Sequence, residues 1–123
     1  MTEITFKDEK YYLLYNGAAY FSLQDIPNIS EAIGKDFEVF CRVVLTLSEQ
    51  GELCRRYEGH DPGAILDEEA LRVTVLPFEI VELRTAAMQA VIAGLTREVE
   101  EENKERDLSL EKLKKKPAKA KKS

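Results

Sequence analysis

Residues 4–26 read ITFKDEKYYLLYNGAAYFSLQDI, and this stretch sets the fold: two short apolar strands followed at once by a helix. Ile4 and Phe6 alternate with Thr5 and Lys7, the pattern of a half-buried strand. Lys7-Asp8-Glu9-Lys10 is a polar turn without the Asn-Gly pair that marks a tight hairpin. Tyr11 to Tyr15 is rich in aromatics, which suit a pleated surface, and is the expected second strand. Asn16 can cap a helix, because its side-chain oxygen can accept from free amides of the first turn. Ala19, Leu23 and Ile26 then recur at helical spacing. Pro27 disfavours helical geometry at the residue before it, so the helix is expected to end at Ile26.

The pattern beyond Pro27 is helical. Residues 28–33 suit one or two turns capped by Asn28 or Ser30, with Gly34 closing the piece. From Asp36 a longer helix carries Phe37, Phe40, Cys41, Val44 and Leu47 on one stripe, expected to face the core. Gly51 interrupts the stripe and Leu53, Cys54 and Tyr57 resume it, so the helix kinks there or stops and restarts. Asp67-Glu68-Glu69 has the acidic signature of a helix N-terminus. Val73 to Leu76 is β-branched and suits extended backbone, and Pro77 suits the first position of a new helix.

That helix is expected to be the longest. Val81, Thr85, Met88, Ile92, Leu95 and Val99 follow a heptad-like seam, and Ala86, Ala87, Ala90, Ala93 and Gly94 make a second, small-residue face. Two readings stand side by side. Either both faces pack within one bundle, or an edge stays open for a partner helix or a second copy. From Glu98 to Asp107 the chain is strongly charged, without an apolar face after Val99. Leu108, Leu110 and Leu113 form a patch too short to fold alone, able to dock on the body or on a partner.

Charge is unevenly placed. The 123 residues carry a formal charge of −5. Glu111–Ser123 hold seven Lys and one acidic residue, a net of +6, which leaves 11 basic and 22 acidic groups, a net of −11, on the preceding 110 residues. An acidic body argues against a nucleic-acid-binding core. The lysine tail has no interleaved aromatic residue, so nucleic-acid binding is not the expectation there either. An apolar fraction of 44% is enough for one packed domain. No secretory leader or membrane span is legible, and a soluble, cytoplasmic chain is expected.

Reaction chemistry is hard to find. Cys41 and Cys54 lie thirteen residues apart, and the sole histidine is His60. A metal site usually needs closer ligands. His60-Asp61 could orient a base, but Asp61-Pro62-Gly63 is an ordinary turn sequence and no nucleophile stands nearby in a known pattern. No phosphate loop, nucleophile elbow, zinc-protease or calcium-loop motif occurs. No catalytic, cofactor-binding or metal-binding residue is predicted.

Ile4-Thr5-Phe6-Lys7, then Tyr12-Leu13-Leu14-Tyr15-Asn16, then Gly17-Ala18-Ala19 resembles the opening of the tail assembly chaperones of long-tailed bacteriophages and prophages. The close match covers the first quarter of the chain; length, helical body and charged tail match more loosely. The resemblance implies a non-enzymatic protein of the host cytoplasm. It implies association with the tape measure protein during tail morphogenesis, and recruitment of tail tube subunits. It also implies a longer second product made by ribosomal frameshifting, for which the consecutive lysines 114–116 are suggestive.

The expected fold is mainly α: a small helical bundle with an N-terminal β-hairpin packed on it, over residues 1–99, and a charged helix or linker with a flexible Lys-rich tail over 100–123. The expected partner-binding residues are Met88, Ile92, Leu95, Leu110 and Leu113. Two alternatives come from other classes. One is a structural component of the phage head–tail junction or tail. The other is a small regulatory or nucleic-acid-binding protein acting through the lysine tail.

Overall fold

A computed structural model describes residues 1–96. The chain is mainly helical with an N-terminal antiparallel hairpin, as expected. The order is β1 (Thr2–Phe6), β2 (Glu9–Leu13), α1 (Gly17–Ser22), α2 (Ile29–Lys35), α3 (Phe37–Tyr57), α4 (Glu68–Thr74) and α5 (Pro77–Leu95). Residues 100–123, with Leu110 and Leu113, lie outside the described part, as does Val99 at the end of the expected seam.

The hairpin is tighter than its sequence signals. Phe6 pairs with Glu9, so only Lys7 and Asp8 form the loop, and both have positive φ, 52° and 67°. That geometry normally favours Asn-Gly. Here Lys7 is held from outside, its Nζ 3.0 Å from Glu79 on α5. The tight turn also moves the second strand upstream, to Glu9–Leu13 rather than Tyr11–Tyr15. Thr2, Ile4 and Phe6 share the core-facing side with Tyr11 and Leu13, and Glu3 and Lys10 pair on the other face.

Asn16 caps α1 by accepting from the Ala19 amide at 3.0 Å. The helix then stops at Ser22, four residues before the expected end. The cause is tertiary: Arg42 of α3 donates to the Ser22 carbonyl at 2.7 Å and grips Asp25 with both Nη atoms. Gly34 lies inside α2, not at its end. Asp36 ends that helix and caps the next, accepting from the Glu38 and Val39 amides. Asp67 caps α4 in the same manner and Pro77 opens α5; Thr74 is helical, and extended backbone is confined to Val75 and Leu76.

Helix α3 is the organiser. It touches β2, α1, α2, α4 and α5, and at 21 residues it, not α5, is the longest described helix. Phe40, Cys41, Val44 and Leu47 are buried as expected, joined by Val43, whereas Phe37, expected on the same stripe, lies in the first turn and is exposed. No break occurs at Gly51. A methyl group there would fall inside the van der Waals shell of the Tyr12 carbonyl, so the glycine admits β2 against the helix. Just upstream, the Leu14 amide donates to the Leu47 carbonyl at 3.1 Å. Leu53 and Tyr57, expected to resume the core stripe, are exposed; Ser48, Gly51 and Glu52 are buried instead. The face that meets β2 therefore rotates away from the large apolar residues.

No described helix is long and apolar enough to cross a membrane. The close approach at Gly51 yields a contrast that urea denaturation can check. Gly51→Ala should destabilise the fold by about 3 kcal/mol or more. Gly34→Ala meets only ordinary contacts with Arg84 and should stabilise by about 0.5–1 kcal/mol through helix propensity.

Candidate partner-binding surface

Helix α5 meets the rest of the molecule through three alanines flanked by two larger apolar residues. Leu83, Ala86, Ala87, Ala90 and Val91 are its buried positions. A Cβ on Gly94 would collide with the Tyr15 carbonyl, as one on Gly51 would with Tyr12. The hairpin and the segment leaving it thus lie against two helices that approach at backbone distance, and only Gly fits at the two points of closest approach.

The larger apolar residues are left outward. Phe78, Val81, Ile92 and Leu95 are 62%, 51%, 58% and 65% exposed. Met88 is half-buried at the edge of the core. At 100° per residue these five positions span about a quarter of the helix circumference, a stripe as wide as the one an amphipathic helix normally turns inward. Thr85–Leu95 contains no charged residue. A helix apolar on both faces is ordinarily covered on both, and contiguous exposed apolar surface marks interaction sites.

The structure therefore brings Met88, Ile92 and Leu95 together on one exposed stripe, while Leu110 and Leu113 fall outside the described residues. Phe78 and Val81 extend the stripe to the start of α5. The seam spacing continues back to Phe78, so Phe78 was findable in the sequence. Beside Leu95 the surface continues into an aromatic shelf. A groove of about 260 Å³ is lined by Tyr15, Tyr20, Gly94 and Leu95 among others. Tyr15 and Tyr20 pack edge-on with centroids 6.3 Å apart, and Tyr20 and Phe21 at 5.3 Å. Tyr20 and Phe21 are both exposed. Adjacent residues on a helix point about 100° apart, so a six-residue helix cannot bury both against one neighbour.

The His60 loop is held from beneath by Glu52, which is 2% exposed. Its carboxylate accepts from Arg55 at 2.9 Å, Arg56 at 2.8 Å and the Gly63 amide. The two arginines reach on to the Asp61 and Gly63 carbonyls, and Arg55 lies over the Tyr12 ring at 4.6 Å. His60 and Asp61 are exposed, and the His60 ring sits 3.8 Å from Glu58. Cys41 is buried and Cys54 half-buried, both as free thiols. Among the described residues no group of three or more His, Cys, Asp or Glu could hold a metal ion.

Compared with family models, with curated proteins and with solved structures, the chain matches none.

Burial pushes the Glu52 carboxyl up, but the Gly63 amide, Arg56 and Arg55 outweigh it and hold the group below its ordinary 4.5. A carboxyl depressed in the folded state stabilises above its unfolded value, and that stability disappears as pH falls through the folded one. Glu52→Gln should cost about 2 kcal/mol at pH 7. It should also flatten the loss of stability between about pH 5 and 3, measured by urea unfolding across that range.

Proposed function

We propose that this chain is a non-enzymatic tail assembly chaperone that binds the tape measure protein of a long-tailed phage during tail morphogenesis. The observation that carries the reading is the uncovered apolar stripe of α5, Phe78–Val81–Met88–Ile92–Leu95, on a folded, charge-rich body. The resemblance of the strand–strand–helix opening gives the stripe its partner. On this reading the stripe covers apolar helical stretches of a long partner that would otherwise aggregate. An outward helix face with 3–4 spacing accepts another amphipathic helix by interdigitation of side chains.

The work is binding and release. Covering an apolar stretch keeps the long partner from self-association. Burying each large apolar side chain contributes roughly 1.5–3 kcal/mol before the costs of association. The aromatic shelf at Tyr20 and Phe21 continues the surface at one end of the stripe, and rigid aromatic side chains are frequent anchors in interfaces. Recruitment of tail tube subunits and a frameshifted longer product belong to the same reading.

Pull-down of co-expressed tape measure protein by the tagged full chain tests it. Wild type should retain the partner. Ile92→Glu and Leu95→Glu should each lose it, because each places an unpaired charge in a desolvated contact. Both positions are exposed, so unfolding stability should stay within about 0.5 kcal/mol of wild type. Retention of the partner by both variants would sink the proposal.

A further inference from the structure

The stripe on α5 has an internal symmetry. Phe78, Val81, Thr85, Met88, Ile92 and Leu95 are spaced 3, 4, 3, 4 and 3, so the series reads the same in both directions. Turned end for end about the midpoint between Ala86 and Ala87, the helix places Phe78 over Leu95, Val81 over Ile92 and Thr85 over Met88. We infer that this stripe pairs with the same stripe of a second copy, antiparallel, across a two-fold axis at Ala86–Ala87.

Three features select a second copy in this orientation. Every layer then joins a larger side chain to a complementary one, whereas parallel pairing stacks Phe78 on Phe78 and leaves a polar Thr85–Thr85 layer. The antiparallel arrangement opposes the two helix dipoles. On the flank, Glu82 of one copy comes within about 3 Å along the axis of Gln89 of the other, a donor for its carboxylate. No charge is desolvated along Thr85–Leu95, which contains none. Such self-complementarity is what a two-fold interface requires.

Size sets the strength of the pair. A helix of 19 residues is about 28 Å long and about 10–12 Å across, so the stripe offers roughly 300 Å² per copy. A standard stable interface needs about 800 Å² per partner. The dimer is therefore a concentration-dependent, readily exchanged one. It covers the stripe between encounters with a helical partner and gives way when one binds. The inference does not require the tail-assembly reading: a chain that fails to retain tape measure protein can still dimerise, and the converse holds.

Disulfide trapping on the full chain tests it, in a Cys54→Ser background that leaves only the buried Cys41. Val81→Cys and Ile92→Cys are oxidised separately and as a mixture. In the antiparallel pair residue 81 lies level with 92, while each position sits about 16 Å along the axis from its own copy, too far for a bond. The mixture should therefore give a dimer joined 81 to 92, identified by peptide mass, and each variant alone should stay monomeric. In parallel, sedimentation equilibrium of wild type should show mass rising with concentration, and Ile92→Glu should remain a monomer. Coupling of either cysteine variant with itself overturns the register. A wild type monomeric at every concentration, with no mixed disulfide, overturns the dimer and leaves the stripe to residues 97–123 or to another protein.

Discussion

The approach of the β2 strand and its exit to two helices at backbone distance is the constraint on which the rest depends. Tyr12 presents its carbonyl to Gly51 of α3, and Tyr15 presents its own to Gly94 of α5. Between them Leu14 donates its amide to Leu47. The Leu14 amide thereby gains a partner on α3, as a buried donor requires. The hairpin is only two strands, too small to stand alone. It is stable here because one edge lies on α3 and its apolar face rests on α5.

That constraint also determines what α5 shows to solvent. To come so near the hairpin the helix turns three alanines inward, Ala86, Ala87 and Ala90, together with Leu83 and Val91, and leaves Gly94 bare where Tyr15 passes. Apolar residues therefore lie on both sides of the helix: Leu83, Val91 and three alanines inside, and Phe78, Val81, Ile92 and Leu95 outside. An apolar outer face weakens a protein's resistance to association. Its presence on a body with so many charged residues is the best physical sign that this face meets something.

The loop after α3 is polar and fixed. Glu52 takes two arginines and a backbone amide, and through them ties the loop after α3 to the helix beneath it. Arg55 extends the arrangement to the Tyr12 ring, so the loop, α3 and β2 hold one another. A buried carboxylate is tolerated because its acceptor capacity is filled. Leu66 anchors the same segment from its apolar side before Asp67 starts α4.

The sequence alone determined the order and type of the elements, because periodicity, caps and breakers act within a few residues. Asn16, Asp36, Asp67 and Pro77 fix helix starts by local hydrogen bonding or by the missing amide of proline. The core stripe of α3 was legible for the same reason, and so were Met88, Ile92 and Leu95 as members of one seam. What only the tertiary structure decided depends on residues far apart in the chain. Gly51 reads as a helix breaker until Tyr12 stands against it. Helix α1 reads as running to Ile26 until Arg42 takes the Ser22 carbonyl. Lys7-Asp8 reads as a loose turn until Glu79 holds Lys7. Above all, two apolar faces on one helix cannot be ranked from their pattern. Backbone distance at Gly94 fixes which face lies inward, because no side chain fits beside Tyr15 there.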